Sequence, residues 1–175
     1  MGSRIACHFA GIGVQVLLLD IVSKEAAEAK DLRARNKIVN DSLTAALKSN
    51  PSPVYHKDVA KKITTGNFDD NMKDISGCDW IIEVVVERLD IKKSIYEKVE
   101  QVRKQGTLIT SNTSGIPIHM LSEGRTDDFK KNFCGTHFFN PPRYLRLLEI
   151  IPTPDTNPEV VDFLMNYGDL YLGKT

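Results

Sequence analysis

Short apolar runs and longer stretches at helical spacing take turns along this chain, and few architectures accept that order. Val14–Leu19, Asp79–Glu87, Thr107–Thr110 and Phe133–Phe139 are rich in Val, Ile, Leu and Phe, as buried strands are. Between them, Ser23–Ser49 is rich in Ala, Lys, Glu, Arg and Leu and reads as one long helix, and Asp90–Arg103 sets Ile91, Ile95, Tyr96, Val99 and Val102 at helical spacing. Strands separated by helices pair in parallel, so the pattern predicts a doubly wound α/β sheet with Asp79–Glu87 as a central strand. Met1–Ala10 reads as a helix closed by Gly11 and Gly13. Lys57–Lys62, Asp70–Gly77, Ile118–Leu121 and Thr126–Lys130 read as short helical pieces, Ile63–Gly66 as a brief strand, and Asn157-Pro158-Glu159 as the start of a last helix.

The alternation breaks at Gly135–Ile151. Pro141-Pro142 forbids continuation of the strand Phe133–Phe139, and Leu145–Ile151 reads as the next strand, an antiparallel addition at the sheet edge. If the chain folds back about Arg143, His137 faces Glu149. Leu145, Leu147, Glu149 and Ile151 share one strand face, so Glu149 is a carboxylate on an apolar face in need of a partner. A histidine held by a carboxylate keeps one tautomer and offers its other ring nitrogen to a substrate proton. The alternative is a hydrogen-bonded structural histidine opposite a solvated edge-strand glutamate, and spacing does not separate the two.

Composition narrows the partners. Lys plus Arg and Asp plus Glu number 23 each, so no global field favours nucleic acid or an anionic membrane. Cys7, Cys78 and Cys134 are scattered without metal-ligand spacing, which fits a reducing, cytoplasmic setting and predicts neither disulfides nor a metal. The run Val14–Leu19 is far shorter than a membrane span. At 175 residues one domain is expected.

Other polar residues fall where parallel sheets bind ligands, beyond the carboxyl ends of strands. Asp20 ends the run Val14–Leu19 and lies 18 residues after Gly2, close to the separation between a glycine fingerprint and a ribose-binding acid; capping a helix near Ser23 is its other reading. Glu87 and Lys92 stand where a strand gives way to a helix, and each also fits a capping or surface role. Ser111-Asn112-Thr113-Ser114-Gly115 is a dense set of small hydrogen-bonding groups, with Ser114 best placed to hold a polar substrate group, or simply a turn. Lys48, Lys57, Lys61 and Lys62 fit either a solvated face or an anionic ligand, and Gly173-Lys174-Thr175 lacks the upstream glycine of a phosphate loop.

The motifs S-N-T-S, G-T-H-F-F-N-P-P and L-L-E-I-I, in that order, resemble the NAD-binding domain of the 3-hydroxyacyl-CoA dehydrogenases across nearly the whole chain. The P-P-R-Y loop and the insertion around Pro51 look more like the multifunctional proteins that fuse this dehydrogenase to an enoyl-CoA hydratase. The resemblance implies a Rossmann-like fold and NAD-dependent interconversion of an L-3-hydroxyacyl-CoA and its 3-ketoacyl-CoA in fatty acid β-oxidation. It implies that His137 is the catalytic base, Glu149 its orienting carboxylate, and Ser114 a residue beside both substrate oxygen and nicotinamide. It further implies cofactor contacts from Gly2, Asp20, Glu87, Lys92 and Asn140, and, across an insertion, CoA contacts near Ser42 and Lys48.

The same resemblance sets expectations about what is missing. Met1-Gly2-Ser3 looks like the last part of the family's glycine loop, which would put the first, central strand and two glycines outside the chain. The family's helical C-terminal domain, with its dimer interface, would lie beyond Thr175. The expectation is an incomplete NAD-binding domain over 1–175, inactive or nearly so alone and homo-oligomeric in the parent protein. Two other functions remain open at this stage: a non-catalytic structural or interaction protein that keeps the fold, and a related dehydrogenase of free 3-hydroxyacids.

Overall fold

A computed structural model describes all residues, 1–175, and their contacts divide them into two compact units. The first comprises Met1–Met72 and Asn140–Tyr144. Its helix α1 (Gly2–Gly11) turns through Gly13, at φ +96°, into β1 (Val16–Asp20). That positive φ is open to glycine at little cost. Helices α2 (Leu32–Arg35) and α3 (Lys37–Leu47) then lead to β2 (Ile63–Asn67), which pairs parallel to β1 from Val16↔Ile63 to Asp20↔Asn67, and α4 (Phe68–Asn71) follows. Ala6, Cys7 and Ala10 of α1 pack on Val54 and Ile63 to form the core of this unit.

The long helix expected over Ser23–Ser49 is broken. Lys24–Ala26 forms a 3-10 turn, Asp31 caps α2 by accepting from Arg33 N, and Asn36 interrupts the path into α3. The side chains there are committed elsewhere: Asn36 Oδ1 accepts from Asn67 Nδ2 at 2.7 Å, and Arg35 donates to both Asp70 oxygens and to Ala27 O. Asp and Asn compete with helical backbone bonding, and these tertiary bonds override the propensity of the segment.

The second unit comprises Lys73–Phe139 and Leu145–Thr175. It contains β3 (Trp80–Glu83), α5 (Leu89–Val102), β4 (Leu108–Ser111), α6 (Ile118–Ser122), α7 (Asp127–Lys131), β5 (Phe133–Phe138), β6 (Leu148–Pro152) and α8 (Pro158–Leu170). The strand order is β3-β4-β5-β6, parallel except for the last pair. Alternate residues divide the core between the two faces of the sheet. Ile109 and Phe133 pack with Tyr96, Ile118, Leu121 and Phe129, while Leu108 and Cys134 pack with Leu164 of α8.

Three expectations change. The single sheet is in two pieces, because β1 hydrogen-bonds only to β2 and β3 only to β4. Asp79–Glu87, expected as a central strand, is therefore an edge strand here, and it ends at Glu83. The Glu83 carboxylate takes the Val85 amide at 2.6 Å, which diverts the backbone before the ladder can continue. The face shared by Leu145, Leu147, Glu149 and Ile151 is the outward one: the three apolar residues are 42 %, 50 % and 37 % exposed, while Leu148 is 9 % exposed and supplies the buried side. Leu145–Leu147 also precede β6 rather than lie in it.

Candidate active site

The antiparallel pair β5-β6 brings His137 opposite Glu149, as expected from the prolines between them. His137 Nδ1 lies 2.7 Å from Glu149 Oε2. A carboxylate accepts only, so Nδ1 carries the proton and the neutral ring keeps Nε2 as an acceptor. The His137 side chain is 20 % exposed, open enough to reach a ligand, and the Phe139 ring leans on it with centroids 4.6 Å apart. Glycine at 135 lets β5 run this close to its neighbours. A Cβ there would meet Ile118 Cδ1 at 2.8 Å and Ile151 Cβ at 3.0 Å.

The loop after β4 reaches the same carboxyl edge, because β4 and β5 are parallel and Ser111 pairs with Gly135. Asn112 Oδ1 accepts from Phe138 N at 2.9 Å, tying the loop to the residue beside His137. Ser114 is exposed, and its amide donates to Glu87 Oε1 at 3.1 Å. The same oxygen accepts from Gly115 N at 2.8 Å and from the Thr113 hydroxyl. Burial alone would raise the Glu87 pKa. The bonds from Thr113 and Gly115, the charge of Lys92 and the Ser114 amide outweigh it and hold the carboxyl at about 2.

The two cofactor-contact candidates beyond β3, one acidic and one basic, differ in access. Glu87 is 42 % exposed, whereas Lys92 is 1 % exposed with its ammonium on Glu83 Oε1, Glu87 Oε2 and Val85 O. It donates hydrogen bonds to Glu83 Oε1 and Val85 O and forms an ion pair with Glu87 Oε2. Sequence reading missed Glu83 and Tyr96, the buried partners of this cluster. Glu83 was visible only as a charge inside the apolar run Trp80–Val86, a placement that is costly without partners.

In the first unit, Asp20 ends β1 with Oδ1 accepting from Ile21 N at 2.8 Å. Gly2 opens α1, a helix whose start has no side-chain cap and no acidic residue in its first turn. Uncapped amides at a helix start and an acid at the end of the next strand suit a dinucleotide's pyrophosphate and ribose, so these residues fit NAD. Asn140 Oδ1 accepts from Arg4 of α1 at 3.0 Å. Ser42 and Lys48 are both exposed on α3 and at its C-cap, yet six residues apart they point about 120° away from each other. Lys61 pairs with Asp58 at 2.7 Å in an exposed turn. No helix is long and apolar enough to cross a membrane.

Residues 1–175 match the family described as 3-hydroxyacyl-CoA dehydrogenase, NAD binding domain. A "Probable 3-hydroxyacyl-CoA dehydrogenase" of Bacillus subtilis is 44 % identical over 99 % of the chain, which spans 23 % of that relative. A "Putative fatty acid oxidation complex trifunctional enzyme" of Rickettsia felis is 39 % identical over the whole chain, which spans 24 % of it. Among solved structures, a 3-hydroxybutyryl-CoA dehydrogenase from Escherichia coli superposes with a TM-score of 0.74 at 29 % identity, covering all of this chain and 35 % of that one. The chain thus spans about a quarter of the length of those two sequence relatives, and it belongs to the family of 3-hydroxyacyl-CoA dehydrogenase NAD-binding domains.

Proposed function

We propose that the protein containing this chain is an NAD-dependent oxidoreductase that interconverts L-3-hydroxyacyl-CoA and 3-ketoacyl-CoA, acting in fatty acid β-oxidation in the cytoplasm. The observation that carries the proposal is the 2.7 Å bond between His137 Nδ1 and Glu149 Oε2, which leaves Nε2 free on the carboxyl edge of the sheet. NAD, when bound, supplies the acceptor for the C3 hydride. His137 Nε2 takes the 3-hydroxyl proton as the C3 hydride departs, and Glu149 stabilises the imidazolium that results. In the reverse direction the imidazolium returns that proton to the ketone oxygen.

The remaining residues bind and orient. Ser114, exposed in the loop that Asn112 ties to β5, donates to the substrate oxygen. Asp20 accepts from the adenosine ribose and the amides at Gly2 receive the pyrophosphate; Glu87 meets the cofactor with Lys92 behind it, and Asn140 contributes from the loop after β5. Ser42 on α3 and Lys48 at its C-cap, both exposed, contact CoA. Relatives several times longer support a parent protein with further domains; its subunits associate as homo-oligomers, and residues 1–175 alone have low activity.

The test compares substrates. The full-length gene product with NADH should reduce acetoacetyl-CoA far faster than acetoacetate. Equal turnover of the free acid would assign a 3-hydroxyacid dehydrogenase instead, and failure to bind NADH in a calorimetric titration would point to a non-catalytic protein.

A further inference from the structure

Glu83 has no part in the chemistry above, yet its side chain is 2 % exposed and fully engaged. Oε1 accepts from Lys92 Nζ at 2.7 Å and from Val85 N at 2.6 Å, and Oε2 accepts from Tyr96 Oη at 2.9 Å and Ser111 Oγ at 2.6 Å. Such a pair is a poor source of stability, since desolvating both charges takes back most of what their attraction returns. A buried network with every group satisfied does fix geometry.

What it fixes can be followed along two routes. In one, Lys92 forms an ion pair with Glu87 Oε2 at 3.3 Å, and Glu87 Oε1 gathers Thr113, Ser114 and Gly115. In the other, Glu83 holds Ser111 through its side chain and Asn112 N through its carbonyl at 2.9 Å, while Asn112 Oδ1 receives Phe138 N next to His137. Both routes begin at Glu83 and reach the loop that carries Ser114, and the second continues to Phe138.

We propose that Glu83 is a positioning residue: acting through Lys92 and Ser111, it sets Glu87 and the loop Ser111–Gly115 against the end of the strand that bears His137. The use made of that loop rests on the dehydrogenase reading; its anchoring does not.

The test separates folding from positioning. Glu83→Gln alone strands the Lys92 charge and lowers the melting temperature. Glu83→Gln combined with Lys92→Met removes both charges at similar volume, and the melting temperature returns toward that of the parent chain. In the double variant, amide exchange by NMR at Ser114 and Gly115 should still be at least about tenfold faster, with exchange at Ile109 unchanged. The NADH dissociation constant of the full-length protein should rise by about tenfold or more. Parental exchange rates at both amides would overturn the proposal. If the double variant does not fold, Ser111→Ala carries the test: it cuts one route without stranding a charge, and unchanged exchange at Ser114 and Gly115 then overturns the proposal. Loosened amides in a protein whose parent form does not bind NADH would sink the dehydrogenase reading and leave this one standing.

Discussion

Replacing Gly135 by alanine adds a single carbon at the tightest point around β5. That Cβ would sit 2.8 Å from Ile118 Cδ1, 2.9 Å from Ile118 Cγ1 and 3.0 Å from Ile151 Cβ, where carbon atoms ordinarily approach to about 3.5–4.0 Å. Neither neighbour yields easily. Ile118 is packed with Leu121, Phe129 and Phe133, and Ile151 is the register partner of Gly135 across the β5-β6 ladder. Overpacking of this kind costs about 1–3 kcal/mol. At about 2–4 °C per kcal/mol for a protein of this size, the melting temperature should fall by about 2–12 °C. The sole tryptophan, Trp80, reports on the transition, because its Nε1 donates to Thr110 Oγ1 inside the same sheet. Ile118→Val removes the nearest of the three atoms, so the double variant should show a favourable coupling of about 0.5–1 kcal/mol while the contact with Ile151 persists. A Gly135→Ala protein that melts with the parent, or a cycle with no coupling, would refute the steric reasoning.

Two further outcomes follow from the electrostatics. Glu87 titrates at about 2 in the folded chain against an ordinary 4.5, so its bonds to the Thr113–Gly115 loop are fully present above pH 4.5 and are lost as pH falls toward 2. Amide protection of Ser114 and Gly115 should decline over that window, and in Glu87→Gln it should show no such decline. Asp20→Ala should weaken NADH binding about tenfold or more by loss of a charge-assisted acceptor, with little change in melting temperature, since its bond to Ile21 N is exposed. Fluorescence titration and a thermal scan on the same sample check both halves.

The His137–Glu149 pair was legible because two facts are local: prolines end one strand, and period-two alternation fixes which residues of a hairpin face each other. The positions of Asp20 and the Ser111–Gly115 loop were legible for a similar reason, since the apolar runs before them end where β1 and β4 end, whereas the run before Glu87 overshot, because β3 stops at Glu83. What escaped was set by long-range partners. The buried state of Lys92 depends on Glu83 and Tyr96, and a lysine on an amphipathic helix carries no mark of that. The break at Asn36 depends on Asn67, 31 residues away. The outward aspect of Leu145, Leu147 and Ile151 runs against the rule that apolar strand faces turn inward. Lys174, which the sequence marked only as part of a tripeptide without the upstream glycine of a phosphate loop, donates to Leu145 O at 2.8 Å and lies 5.8 Å from the Phe138 ring centroid, and burial lowers its pKa to about 8.

The central claim is that His137 moves the proton while its partner Glu149 holds it in place. Single-turnover reduction of acetoacetyl-CoA by the NADH-loaded, full-length protein carrying His137→Gln tests that claim most directly. Glutamine keeps a polar contact with Glu149 but has no basic nitrogen, so the hydride step should slow by about a hundredfold or more while NADH affinity stays within about twofold. A hydride step as fast as in the parent protein would contradict the assignment of His137 as the base.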